Sequence, residues 1–113
     1  MTDSYETISD TISNDEFWAR YHQCAQELKS AKTVDDVIRI CKSHFGKSSG
    51  EAFFPGGSGD EEVLSILLDA GWRPAWVEAS YYFGIYEPDG WPDSNKALHY
   101  VEGDIYRGRG KPL

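Results

Sequence analysis

Trp76-Val-Glu-Ala-Ser-Tyr-Tyr-Phe-Gly-Ile-Tyr86 and Lys96-Ala-Leu-His-Tyr-Val-Glu-Gly-Asp-Ile-Tyr-Arg107 are the two stretches whose reading decides the fold. Both are rich in β-branched and aromatic residues, and a Pro88-Asp-Gly90 turn signal lies between them. The spacing predicts two paired antiparallel strands, Trp76 to Glu87 and Lys96 to Arg107. Side chains in a strand alternate between faces. In the first strand Val77, Ala79, Tyr81, Phe83 and Ile85 make one set, apolar enough for a core. Trp76, Glu78, Ser80, Tyr82, Gly84 and Tyr86 make the other, mixing aromatic and polar groups. The second strand divides into Ala97, His99, Val101, Gly103 and Ile105 against Leu98, Tyr100, Glu102, Asp104 and Tyr106. One face is therefore expected in the core, and the other displays tyrosines beside carboxylates.

Upstream of the strands the apolar period changes from two to three and four. Asn14 is placed as a helix cap, with Asp15 and Glu16 in the positive first turn. Phe17, Trp18, Tyr21, Cys24, Ala25, Leu28 and Ala31 follow on one stripe, an amphipathic helix of about five turns. Thr33 caps a second helix with the stripe Val34, Val37, Ile38, Cys41 and Phe45, and Gly46 stops it. So short a connection makes the two an antiparallel hairpin. Residues 46–59 are a Gly- and Ser-rich loop, which Phe53 and Phe54 pin to the core. A third helix runs from Asp60 to Gly71, and Val63, Leu64, Ile66, Leu67 and Leu68 wrap so much of it that it is expected to be the most buried. Pro74 marks a strand entry or an edge.

The fold expected is α+β: three N-terminal helices packed on a C-terminal antiparallel β-hairpin, or on a small three-stranded meander if a short strand forms near Trp72. Helices first and strands second argue against parallel βαβ units. At 113 residues the chain is read as one domain over residues 14–113, preceded by a flexible acidic arm over residues 1–13.

The formal net charge is -8. Asp3, Glu6, Asp10, Asp15 and Glu16 fall in the first 16 residues, which contain no Lys or Arg, whereas the rest of the chain is nearly balanced. A broad basic face for nucleic acid is not expected, although Arg107-Gly-Arg-Gly-Lys111 is locally basic. No apolar run approaches the roughly 20 residues that span a bilayer. The first residues have neither a basic nor an apolar signal segment, so a cytoplasmic location is expected. Cys24 and Cys41 are then read as reduced, buried small hydrophobes.

Gly46-Lys-Ser-Ser-Gly50 lacks the first glycine and the preceding strand of a phosphate loop, and Gly56-Gly-Ser-Gly59 leads into the acids Asp60, Glu61 and Glu62. Cys41 and His44 with His22 and Cys24 suggest zinc, but His22 and Cys24 lie about 200° apart on one helix. Glu78, Glu102 and Asp104 offer a carboxylate cluster for a divalent ion and phosphodiester hydrolysis. His99 falls on the apolar set, and no Ser-His-Asp constellation with a strand-turn-helix nucleophile is present.

The aromatic set is the stronger candidate. Trp76, Tyr82, Tyr86, Trp91, Tyr100 and Tyr106, with Glu102 and Asp104, combine large area, few rotors and polar tips, the chemistry of interface hot spots. If helices cover both sheet faces, the same residues are core instead. Tyr100-Val-Glu-Gly-Asp-Ile-Tyr-Arg-Gly108, after Ala79-Ser-Tyr-Tyr82 and the Pro-Asp-Gly turn, resembles the tail of small acidic accessory proteins of actinobacterial phages and prophages. The resemblance covers about the last third of the chain and carries no assigned activity. It implies an accessory protein that modulates a host protein. The function expected is a non-enzymatic protein-binding module, without cofactor, metal or membrane, that engages a protein partner or a second copy. The alternatives are a small metal-dependent hydrolase at the three carboxylates and an acidic nucleic-acid mimic.

Overall fold

In the computed structural model residues 14–56 and 59–110 are described; the arm expected over residues 1–13 lies outside the described residues. Helix α1 (Asn14–Leu28) has Asp15 and Glu16 in its first turn. Its stripe of Phe17, Tyr21, Cys24, Ala25 and Leu28 is buried. Helix α2 (Val34–Phe45) starts at a full capping box. Thr33 Oγ1 accepts from the Asp36 N–H at 3.0 Å, and Asp36 accepts from the Thr33 N–H at 3.3 Å, which satisfies two otherwise orphaned donors. It ends at Gly46, whose N–H returns to the Lys42 carbonyl. Helix α1 packs on α2 and on α3 (Asp60–Asp69).

The strands are β1 (Ala52–Phe53), β2 (Arg73–Ala79), β3 (Tyr82–Tyr86), β4 (Ala97–Val101) and β5 (Asp104–Arg107), and a 3-10 turn (Ser94–Lys96) leads into β4. They form one antiparallel sheet in the order β1-β5-β4-β3-β2. The α+β class is as expected, but the sheet has five strands rather than a hairpin or a three-stranded meander. Each stretch read as one strand is itself a hairpin. Ser80-Tyr81 turns β2 into β3, and Glu102-Gly103, both at positive φ (49° and 98°), turns β4 into β5. Positive φ at both central residues matches the twist of paired strands in a two-residue hairpin. The pairing expected between the two stretches is that of β3 with β4.

The Glu102-Gly103 turn overturns the face assignment predicted for the second stretch, while Val77, Phe83 and Ile85 of the first stay on one face. Phe83 pairs with Tyr100 and Tyr100 with Ile105, while Ile85 pairs with Leu98, so these five side chains share one face. All are at most 1% exposed, in one cluster with the buried residues of the helices. Leu98 and Tyr100 are thus core, and Ala97, His99 and Val101 point the other way. A one-residue change of register exchanges the two sets in full. Val77 shares the core face through its pairing with Phe83, yet it is 48% exposed at the edge of the sheet, and Tyr81 stands 50% exposed in the turn. Pro74 and two register shifts blunt β2 as an edge for further pairing.

The most buried helix is α2, not α3. Val34, Val37, Ile38, Ile40, Cys41 and Phe45 are all buried, whereas α3 buries Asp60, Val63 and Leu67 and exposes Leu68. Burying a large aliphatic or aromatic side chain contributes about 1.5–3 kcal/mol, so α2 anchors the helical layer. Phe53 and Phe54 pin their loop as expected, and Trp72 donates its indole N–H to the Ala31 carbonyl at 2.9 Å. At the rim Arg107 bridges Asp35 of α2 (2.6 Å) and Glu51 (2.9 Å), and Glu87 accepts from the Val34 N–H at 2.9 Å. Cys24 and Cys41 are free, buried thiols on α1 and α2. Hydrogen bonding to Cys24, then burial, pushes the Cys41 thiol well above its ordinary range.

Candidate functional site

The helices leave one sheet face to other company. Cross-strand register sets Trp76 of β2, Gly84 of β3, His99 of β4 and Tyr106 of β5 in a single lateral row on that face. At one end Trp76 meets Tyr82 edge to face, with centroids 5.1 Å apart. At the other, His99 stacks on Tyr106 at 4.7 Å with the planes 11° apart. Between the two aromatic pairs lies Gly84, which has no side chain, so the row contains a slot with aromatic walls.

The chain's own tail runs through this slot. After β5 the Gly108 N–H bonds to the Ala97 carbonyl at 2.8 Å, and the Gly108 carbonyl lies 3.3 Å from His99 Nδ1. The Trp76 indole N–H then donates to the carbonyls of Arg109 (2.8 Å) and Gly110 (2.7 Å). A Cβ on Gly84 would stand 2.4 Å from the Arg109 carbonyl oxygen, so the close approach of the two backbones requires glycine there.

Tyr106 and Asp104 are held from the side by the loop after α2. Ser49 Oγ donates to Asp104 at 2.7 Å and lies 2.9 Å from the Tyr106 hydroxyl, and the Ser49 N–H also bonds to Asp104. A carboxylate at the rim of the face is thereby held by the hydroxyl and the N–H of one serine.

Of the eight residues singled out from the sequence, Trp76, Tyr82, Asp104 and Tyr106 come together on the open face, all half-buried. Glu102 is exposed at the β4–β5 turn. Trp91 is 53% exposed in the loop between β3 and β4, where the Arg73 guanidinium sits 4.1 Å above its ring. Two residues do not fit a contact surface. Tyr86 lies on the open side of the sheet but is only 4% exposed. Tyr100 faces the helices, stacked on Phe83 at 4.9 Å, and its hydroxyl donates to Asp60 at 2.5 Å. Burial first, then this bond, pushes the Tyr100 phenol far above its ordinary range.

The carboxylate cluster is not assembled. Asp104 and Glu78 are on β5 and β2, with two strands between them, hence about 14 Å apart at the usual strand spacing. Among the described residues no three His, Cys, Asp or Glu side chains are grouped to hold a metal ion. His44 bonds instead to Glu27 at 3.0 Å, and His22 is exposed on α1 while Cys24 is buried. Among the described residues no helix is long and apolar enough to cross a membrane.

Sequence reasoning missed His99, Ser49, Gly84 and the tail as parts of the site. Gly84 amid a strand pattern was the available signal, since an interior strand glycine marks a close backbone approach. His99 was hidden by the unrecognised turn, and Ser49 is more than 50 residues from its partners. In comparison with known proteins, no family model, no curated protein and no solved structure matches the chain.

Proposed function

We propose that this chain is a non-enzymatic protein-binding module that uses the open face of its sheet. One observation carries the reading: the helices are packed on a single face, and the opposite face carries two paired aromatic groups, Trp76 with Tyr82 and His99 with Tyr106. Aromatic side chains with polar tips, half-buried and held in place by neighbours, lose little entropy when a partner covers them. Asp104, fixed by Ser49, supplies a directional acceptor at the rim. The likeness of the C-terminal third to phage and prophage accessory proteins supports a cytoplasmic host protein as the partner.

Capture from an actinobacterial lysate tests the reading, with the wild-type chain and the Tyr82→Ala/Tyr106→Ala variant as parallel baits. A protein retained by the wild type and lost by a variant that stays folded supports the face. Equal capture by both baits overturns it.

A further inference from the structure

We infer that the slot over Gly84 is a binding seat for an extended, basic, glycine-containing peptide segment of a partner, and that the chain's own tail occupies it in cis. The inference deepens the protein-binding proposal and rests on it, because it names the ligand chemistry of the same face. The seat recognises main chain. One indole N–H, from Trp76, serves two successive carbonyls, and the floor at Gly84 is backbone. The walls are rings that any extended chain can lie against: Trp76 with Tyr82 on one side, His99 with Tyr106 on the other.

The tail's own residues report which segments fit. Gly110 sits at φ 60°, and a Cβ there would stand 2.5 Å from the His99 ring, so a side chain at this position cannot enter. The Arg109 side chain is exposed while its carbonyl is bound, so an arginine is tolerated next to the required glycine. Asp104, held at the rim of the same face, favours a basic segment over an acidic one. The seated carbonyls of Arg109 and Gly110 follow β5, so no strand pairing is broken when they leave the slot. A cis occupant lowers the apparent affinity for a trans segment in proportion to the time it spends in the seat.

The test uses the full-length chain and the synthetic peptide Arg-Gly-Arg-Gly-Lys-Pro-Leu, followed through the Trp76 indole cross-peak in ¹H–¹⁵N NMR spectra. Gly110→Val, which carries a branched side chain into a left-handed position against His99, evicts the tail and shifts the indole peak. Added peptide then returns the peak to its wild-type position, with at least tenfold tighter binding to Gly110→Val than to the wild type. A peptide with alanine in place of its glycines does not return it. Gly84→Ala, which fills the seat itself, shifts the indole peak and binds no peptide. An indole peak unchanged by Gly110→Val, or a shifted peak that excess peptide cannot return, overturns the proposal, as does equal binding to both chains. A wild-type dimer whose indole signal changes on dilution assigns the seat to a second copy's tail and also overturns it. The titration contains no partner, so its failure removes the peptide seat alone, and lysate capture still decides the contact face.

Discussion

The two faces of this sheet use similar residues for opposite ends. Tyr100 and Tyr106 lie on adjacent strands, each stacked on a ring and each bonded through its hydroxyl. On the helix-covered face Tyr100 packs against Phe83, and its hydroxyl is committed to the buried Asp60. On the open face Tyr106 packs against His99 and bonds to an exposed serine. Composition does not distinguish the two tyrosines; the layer covering them does. An aromatic in a closed cluster is worth several kcal/mol to the fold, whereas one at a half-open face stabilises little and stays available for contact.

The largest expected effect tests the covered face. Tyr100→Ala should destabilise the chain by about 3–5 kcal/mol in denaturant melts, the range for losing a large buried aromatic. Tyr100→Phe keeps the ring but removes a donor from Asp60, and should cost about 1–3 kcal/mol. If Tyr100→Ala behaves like a surface change, the distinction between the faces collapses.

An alkaline titration sharpens the same contrast. The Tyr100 phenol ionises in the folded chain far above its usual value of 10.0, so the unfolded chain loses this proton first. Its contribution to stability is complete below about pH 10 and is lost as pH rises towards the folded value. The slope is about 1.4 kcal/mol per pH unit above 10. Cys41, raised from 9.0, adds loss of the same sign. Stability measured from pH 8 to 11 should fall, and the fall should be shallower in Tyr100→Phe, where the cysteine contribution alone persists. Equal slopes would deny Tyr100 its place in the core.

On the open face, Tyr106→Ala removes a ring contact and one hydroxyl bond at a half-exposed site, and should cost about 1 kcal/mol or less. A loss near that of Tyr100→Ala would make this face a second core.

The smallest effect belongs to neither face and serves as a reference. The Asp36 carboxyl is held below its ordinary 3.8, chiefly by the Lys32 N–H. Its contribution is present above that value and is lost as pH falls through the lower folded value. Because the group is largely in water, the loss is about 0.5 kcal/mol or less. Asp36→Asn should flatten stability between pH 4 and 2 without changing the alkaline slope.

Much of the helical layer was legible because its signals are local. Thr33 with Asp36, the stop at Gly46 and the stripe from Val34 to Phe45 each act over a few residues, where backbone geometry leaves one solution. Phe53 and Phe54 announced themselves as anchors by standing in a polar loop. The carboxylate cluster failed for a related reason: Glu78, Glu102 and Asp104 seemed neighbours only while the two stretches were single strands.

By itself the sequence determined the class of the fold, the helix limits to within a turn, and two alternating sets in each strand stretch. Which set meets which was decided by the tertiary structure. Ser80-Tyr81 turns the chain without a glycine, proline, asparagine or aspartate to signal it, and Glu102-Gly103 adds a second reversal. Alternation with a period of two is blind to such reversals. Glu102-Gly103 puts Tyr100 and Ile105 on one face and changes the phase, whereas a register shift beside Ser80-Tyr81 keeps Val77 and Phe83 in step. The tail's seat over Gly84 is further still from sequence reach. It depends on Trp76 and Arg109, more than 30 residues apart, meeting only after four strands have paired in register.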